Sequence, residues 1–190
     1  MSRIMIVDDE PAILSSLKRL LRAVPCGYGG SVYPLDVETF DAPMAALERA
    51  GHAPFDLIMT DYRMPRMDGV ELLKKIRQVQ PDAARLILSG YADLNVLVSA
   101  INEVEIYRFI AKPWNDYELV SAIGQALHNR DLTLENRRLA DQTRAAKGLL
   151  SAEALEARRL EALEPGITQV NWAPDGSVIL DPEFQDLDKG

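Results

Sequence analysis

One cysteine, Cys26, in a chain of 190 residues excludes an internal disulfide framework and any zinc site built from cysteine alone. Positive charge is also scarce. There are 21 Lys and Arg against 29 Asp and Glu, a net charge of −8, which disfavours wrapping nucleic acid or lying on an anionic membrane. No apolar run approaches 18 residues, so no segment is expected to span a bilayer. The first residues, Met1-Ser2-Arg3-Ile4-Met5-Ile6-Val7, reach an acidic cluster before a signal-peptide core can form. These absences predict a cytoplasmic chain without nucleic-acid or membrane partners. The remaining composition, 47% hydrophobic and 26% charged, is that of a folded globular protein.

The charge is unevenly placed. Residues 1–124 carry 13 basic and 17 acidic groups, residues 125–164 carry 7 and 7, and residues 165–190 carry 1 and 5. Three parts are expected at these boundaries. In the first, short apolar runs alternate with helical patterns. Ile4–Val7, Val37–Phe40, Phe55–Thr60, Leu86–Leu88 and Arg108–Ala111 read as strands, and each precedes a helical stretch. The helices are predicted from Pro11, over Met44–Ala50, over Gly69–Val79, over 93–104 and from about Asn115. Five βα repeats with short links predict an α/β fold, a five-stranded parallel doubly wound sheet covered on both faces. Pro25–Gly30 reads as a loop.

The second part, 125–164, reads as a helical extension. Leu132, Leu139 and Ala146 lie seven apart, a coiled-coil spacing that suggests a homodimer, and Gly148 interrupts it. A continuous helix over 115–163 would be roughly 70 Å long. The third part, 165–190, holds two short strands around Ala173-Pro174-Asp175-Gly176, a hairpin with an Asp-Gly turn.

In an open parallel sheet, ligands bind beyond the carboxyl ends of the strands. The residues expected there are Asp8-Asp9-Glu10 after the first strand, Asp61 after the third, Ser89-Gly90 after the fourth and Lys112-Pro113 after the fifth. Clustered carboxylates repel one another unless a cation intervenes. All-oxygen ligands suit Mg²⁺. A carboxylate can act as a nucleophile toward phosphorus, with a metal and a lysine balancing the charge. Asp61, alone at the end of a central strand, is the expected nucleophile. His52 and His128 are expected at the surface, away from these acids.

At these positions the sequence resembles the CheY-like receiver domain of two-component response regulators. The matching stretches are Ile6–Glu10, Asp61–Gly69, Leu88–Gly90 and Phe109–Trp114, and they cover residues 1 to about 125. The resemblance implies that Asp61 accepts phosphate from a sensor histidine kinase. It implies Mg²⁺ held by Asp8, Asp9, Asp61 and the backbone carbonyl of Arg63. Lys112 would pair with the phosphoryl group, and Pro113 would follow it through a cis bond. Ser89 would be the switch hydroxyl and Phe109 the aromatic switch, with Tyr107 able to share that role. Arg63 and Tyr91 would tune dephosphorylation. The Lys112-Pro113-Trp114 ending is similar to receivers joined to HD-GYP or transcription-activator modules, neither of which is visible downstream.

The expected function is thus a phosphorylation-switched response regulator, not a stand-alone enzyme, acting on an unknown downstream protein. Two other readings compete with it. A Mg²⁺-dependent aspartyl-phosphate phosphatase usually carries a second acid two residues after its nucleophile, whereas Asp61 is followed by Tyr62-Arg63. A DNA-binding regulator sits poorly with the zero net charge of residues 125–164.

Overall fold

The structure is a computed structural model. It describes residues 1–90 and 104–146, together with Ala154, Glu156, Ala157, Arg159 and Leu160. Its elements are β1 (Ser2–Val7), α1 (Pro11–Ala23), β2 (Cys26–Tyr28), β3 (Ser31–Tyr33), β4 (Leu35–Phe40), α2 (Pro43–His52), β5 (Leu57–Asp61), α3 (Gly69–Val79), β6 (Ala84–Gly90), β7 (Arg108–Lys112) and α4 (Asp116–Ala146).

The apolar strand runs form one parallel sheet in the order β4-β1-β5-β6-β7. Period-two alternation sends their side chains into two cores. Ile4, Ile6, Leu57, Met59, Leu86 and Leu88 meet Leu14, Leu17 and Leu21 of α1 and Leu119, Ile123 and Leu127 of α4. Met5, Val7, Ile58 and Ile87 meet Ala46 and Ala50 of α2 and Leu72, Leu73 and Ile76 of α3. Both faces are covered, which is why the strands are continuously apolar. The chain steps from β1 outward to β4, then back across β1 to β5. The carboxyl ends of β1 and β5 therefore flank the point where the winding reverses, the position at which such sheets bind ligands.

Helix starts follow local chemistry. Pro11 opens α1 and Pro43 opens α2. Asp68 caps α3 by accepting from the Glu71 N–H at 2.8 Å. The Asn115 Oδ1 accepts from the N–H groups of Tyr117 and Glu118 at the start of α4. Asp68→Ala is expected to cost about 1 kcal/mol in a urea titration, the usual worth of an N-cap.

Two sequence expectations change. Pro25–Gly30 is not a plain loop, because Cys26–Tyr28 and Ser31–Tyr33 pair antiparallel as a hairpin. Gly29 and Gly30 turn it with φ of +59° and +82°, which glycine tolerates and the turn requires. His128 is not on an open helix face; it is half-buried, with its Nδ1 3.4 Å from the Tyr33 hydroxyl.

The first compact unit, Met1–Gln142, extends well into α4, and Thr143–Gly190 forms the second. Two arginines seven residues apart tie α4 to the rest of this unit. Arg130 pairs with Asp56 at 2.9 Å and donates to the Asp82 carbonyl, and Arg137 pairs with the Asp82 carboxylate. Leu132 and Leu139 are 50% and 47% exposed. The expected helix over 93–104, apart from Val104, the Gly148 interruption and the hairpin around 173–176 lie outside the described residues. Among the described residues, no helix is long and apolar enough to cross a membrane.

Candidate functional site

Three strand ends bring three charged side chains together. Asp8 follows β1 and is fully buried, Asp61 ends β5 at 6% exposure, and Lys112 ends β7. The Lys112 ammonium lies 2.7 Å from Asp8 Oδ2 and 2.5 Å from Asp61 Oδ1. The other carboxylate oxygens are held by main chain. Asp8 Oδ1 accepts from the Glu10 N–H at 2.9 Å, and Asp61 Oδ2 accepts from the Arg63 N–H at 2.8 Å. The Lys112–Pro113 peptide is cis.

The cluster holds two acids and one ammonium, a local charge of −1 with both acids buried. Burial raises the pKa of the Asp61 carboxyl above its ordinary value. Lys112 and the Arg63 N–H oppose the rise, and the charge of Asp8 adds to it. For Lys112, burial favours the neutral amine. The hydrogen bonds and charges of Asp61 and Asp8 outweigh burial and leave its pKa above the ordinary lysine value.

The remaining expected residues are placed differently. Ser89 is 3% exposed on β6, one residue beyond the Leu88 that pairs with Asp61, and its hydroxyl donates to the Gly90 carbonyl at 3.1 Å. Phe109 on β7 is half-buried against the core shared with α2 and α3. Tyr107 is 36% exposed, and its N–H bonds the Arg85 carbonyl. Asp9 and Glu10 are exposed. Among the described residues, no three His, Cys, Asp or Glu side chains gather where they could hold a metal ion. The structure gathers Asp8 and Asp61 on Lys112. That pair still fits Mg²⁺, which commonly takes only one or two protein carboxylates and fills its octahedron with water and phosphate oxygens. Tyr91 lies outside the described residues.

Supporting residues escaped the sequence reading. A Cβ on Gly69 would stand 2.2 Å from the Asp61 carbonyl oxygen and 2.9 Å from Thr60 Cγ2, so only glycine lets α3 begin against the end of β5. The Thr60 hydroxyl, fully buried, donates to the same Asp61 carbonyl. Side-chain chemistry marks neither residue; the Met67-Asp68-Gly69 sequence after Asp61 is the only clue.

The model of the response regulator receiver domain family matches residues 4–124. HoxA, a hydrogenase transcriptional regulatory protein of Cupriavidus necator, is 31% identical over 160 residues, covering 80% of this chain and 31% of HoxA. The transcriptional regulatory protein FixJ of Bradyrhizobium diazoefficiens is 29% identical over 165 residues, covering 87% of this chain and 75% of FixJ. The chain thus spans about a third of the length of the hydrogenase regulator. Among solved structures, the signal receiver domain of an HD domain-containing protein from Pseudomonas fluorescens Pf-5 is 35% identical with a TM-score of 0.61. The match covers 68% of this chain and 97% of that one. A CheY-like receiver domain protein from Methanospirillum hungatei is 30% identical with a TM-score of 0.61, covering 70% and 98%.

Proposed function

Because the chain belongs to the response regulator receiver family, we propose that it takes a phosphoryl group from a sensor histidine kinase onto Asp61 and signals through protein–protein contact. The observation that carries this reading is a buried carboxylate at a strand end sharing one ammonium with a second buried carboxylate. In the transfer, a carboxylate oxygen of Asp61 forms a bond to phosphorus as the phosphorus–nitrogen bond of phosphohistidine breaks. The imidazole nitrogen leaves with the electron pair. Lys112, already within hydrogen-bond distance of Asp61, stays beside the group and pairs with phosphoryl oxygens. Ser89, on the neighbouring strand, turns its hydroxyl from the Gly90 carbonyl toward a phosphoryl oxygen, and Phe109 repacks with it. Asp8, Asp61 and the Arg63 carbonyl would hold Mg²⁺, with Asp9 alongside, and the ion supplies positive charge to the phosphoryl oxygens.

The output is assigned to α4. Its arginines bind the receiver while Leu132 and Leu139, two positions further along the helix, are exposed. That stripe suits a second copy of the chain. Nucleic acid is a poorer fit. Arg130, Arg137 and Arg138 are occupied by Asp56, Asp82 and Glu135, so the positive charge of this stretch is already compensated.

Two measurements test this. With a small phosphodonor and Mg²⁺, labelled phosphate should appear on the peptide containing Asp61; label on another residue would overturn the assignment. Light scattering should show a dimer, or a mass that changes with beryllofluoride, which mimics the phosphoryl group. A monomer in both states would remove α4 self-association from the reading.

A further inference from the structure

The β2–β3 hairpin plays no part in the phosphoryl chemistry, yet it is fitted closely to one face of α4. The contacts repeat every four residues along the helix, the spacing that places side chains on one side. At Val120, the carbonyl oxygen receives the Cys26 Sγ at 3.7 Å. One turn on, Gly124 lets the hairpin backbone pass so near that a Cβ there would stand 3.0 Å from the Gly27 carbonyl oxygen. At the next turn, the His128 ring lies against the hairpin at Gly29. A Cβ on Gly29 would stand 2.9 Å from both Cε1 and Nε2 of that ring. The Tyr28 ring meets it edge-on with centroids 5.6 Å apart, and the Tyr33 hydroxyl lies 3.4 Å from Nδ1. Gly29 of the hairpin and Gly124 and His128 of α4, about a hundred residues later in the sequence, are thus shaped to one another.

Burial of a core explains the ends of the hairpin but not its turn. Tyr28 and Val32 are 44% and 72% exposed, so much of the hairpin's apolar surface stays in water. The two ends of the hairpin, Cys26 and Tyr33, are anchored in the same core as Leu119, Ile123 and Leu127 of α4. A two-stranded hairpin is marginal by itself, so its order depends on the helix it grips.

We propose that the β2–β3 hairpin is a clasp that holds α4 against the receiver, so that helix and receiver move as one body. Lys112 stands four residues before the start of α4, and Arg130 ties the helix just beyond His128. The clasp engages between these two attachments and prevents rotation of the segment that leads to Leu132 and Leu139. The clasp stands on this geometry alone. Its use in signalling rests on the reading of α4 as the output.

Hydrogen exchange on the full chain tests it, comparing the parent with Gly29→Val and His128→Ala. Gly29→Val forces a β-branched residue to φ +59° and into the His128 ring. His128→Ala removes the ring without introducing a clash. Amides of α4 beyond Gly124 are expected to exchange at least tenfold faster in both variants. Those of β1, β5 and β6, and the rate of phosphate uptake from a small donor, should stay within twofold. Unchanged exchange of α4 in both variants would overturn the clasp. Equal acceleration in the central strands would overturn it too, making the hairpin an ordinary part of the core. Absence of phosphate uptake in the parent would count against the Asp61 reading only and leave the exchange comparison intact.

Discussion

Asp61→Asn is expected to take up no labelled phosphate and, at neutral pH, to be more stable than the parent. The two effects have one cause. Asp61 is buried next to the buried Asp8, with one lysine between two acids. Its pKa is raised chiefly by burial, so the folded protein binds the Asp61 proton more tightly than the unfolded chain does. A raised carboxyl stabilises the fold only below its unfolded pKa. That contribution is lost as pH rises through the ordinary carboxylate range to the folded value, and above it the charged side chain opposes folding. Asparagine keeps the shape and can still accept from the Arg63 N–H, and it leaves Lys112 neutralising Asp8 alone. The gain should be on the order of 1 kcal/mol at pH 7 and smaller near pH 4, read from urea titrations in EDTA. Lys112 does not blur this window, because its own raised pKa matters only on the alkaline side. An asparagine variant less stable than the parent at pH 7 would show that Lys112 more than compensates the buried charge.

The parts of this protein that were legible in its sequence are those governed by local rules. Ile4–Val7 and Leu86–Leu88 are continuous apolar runs because both faces of the sheet are covered, and that pattern names a parallel strand directly. Asp8, Asp61 and Lys112 were visible because each follows such a run, and topology alone then brings them to one rim. What was not visible depends on distant contacts. Asp8 and Asp9 look equivalent in a list of acids, but the chain buries one and exposes the other where it leaves β1. Cys26–Tyr33 shows no alternation of apolar and polar residues, and its order comes from Val120, Gly124 and His128 about a hundred residues later. The leucines of α4 form a visible seven-residue repeat. The matching repeat of Arg130 and Arg137, which ties the helix to Asp56 and Asp82, is not legible in the sequence, because an arginine declares no partner.

Lys112→Ala should have the largest effect on stability. The ammonium is the charged partner that Asp8 and Asp61 share, and Asp8 is fully buried. Removing one member of a buried ionic cluster leaves the others desolvated and unpaired, at a cost of about 3–5 kcal/mol. Here the loss is compounded, because the local charge changes from −1 to −2 with the two carboxylates facing each other. Most of the deficit should therefore be electrostatic, and it should be answerable by a cation. Any ligand that binds only the folded state stabilises it by about 2.7 kcal/mol at a hundred times its Kd. A site of charge −2 binds Mg²⁺ more tightly than one of −1, so at equal Mg²⁺ the variant should gain more stability than the parent and the gap should narrow. Urea titrations with EDTA and with Mg²⁺, on both proteins, measure this directly. Equal gains would mean that Asp8 and Asp61 do not hold the ion together. Narrowing of the gap with phosphate uptake still impaired would separate the two duties of Lys112, holding the acids before transfer and meeting the phosphoryl oxygens after it.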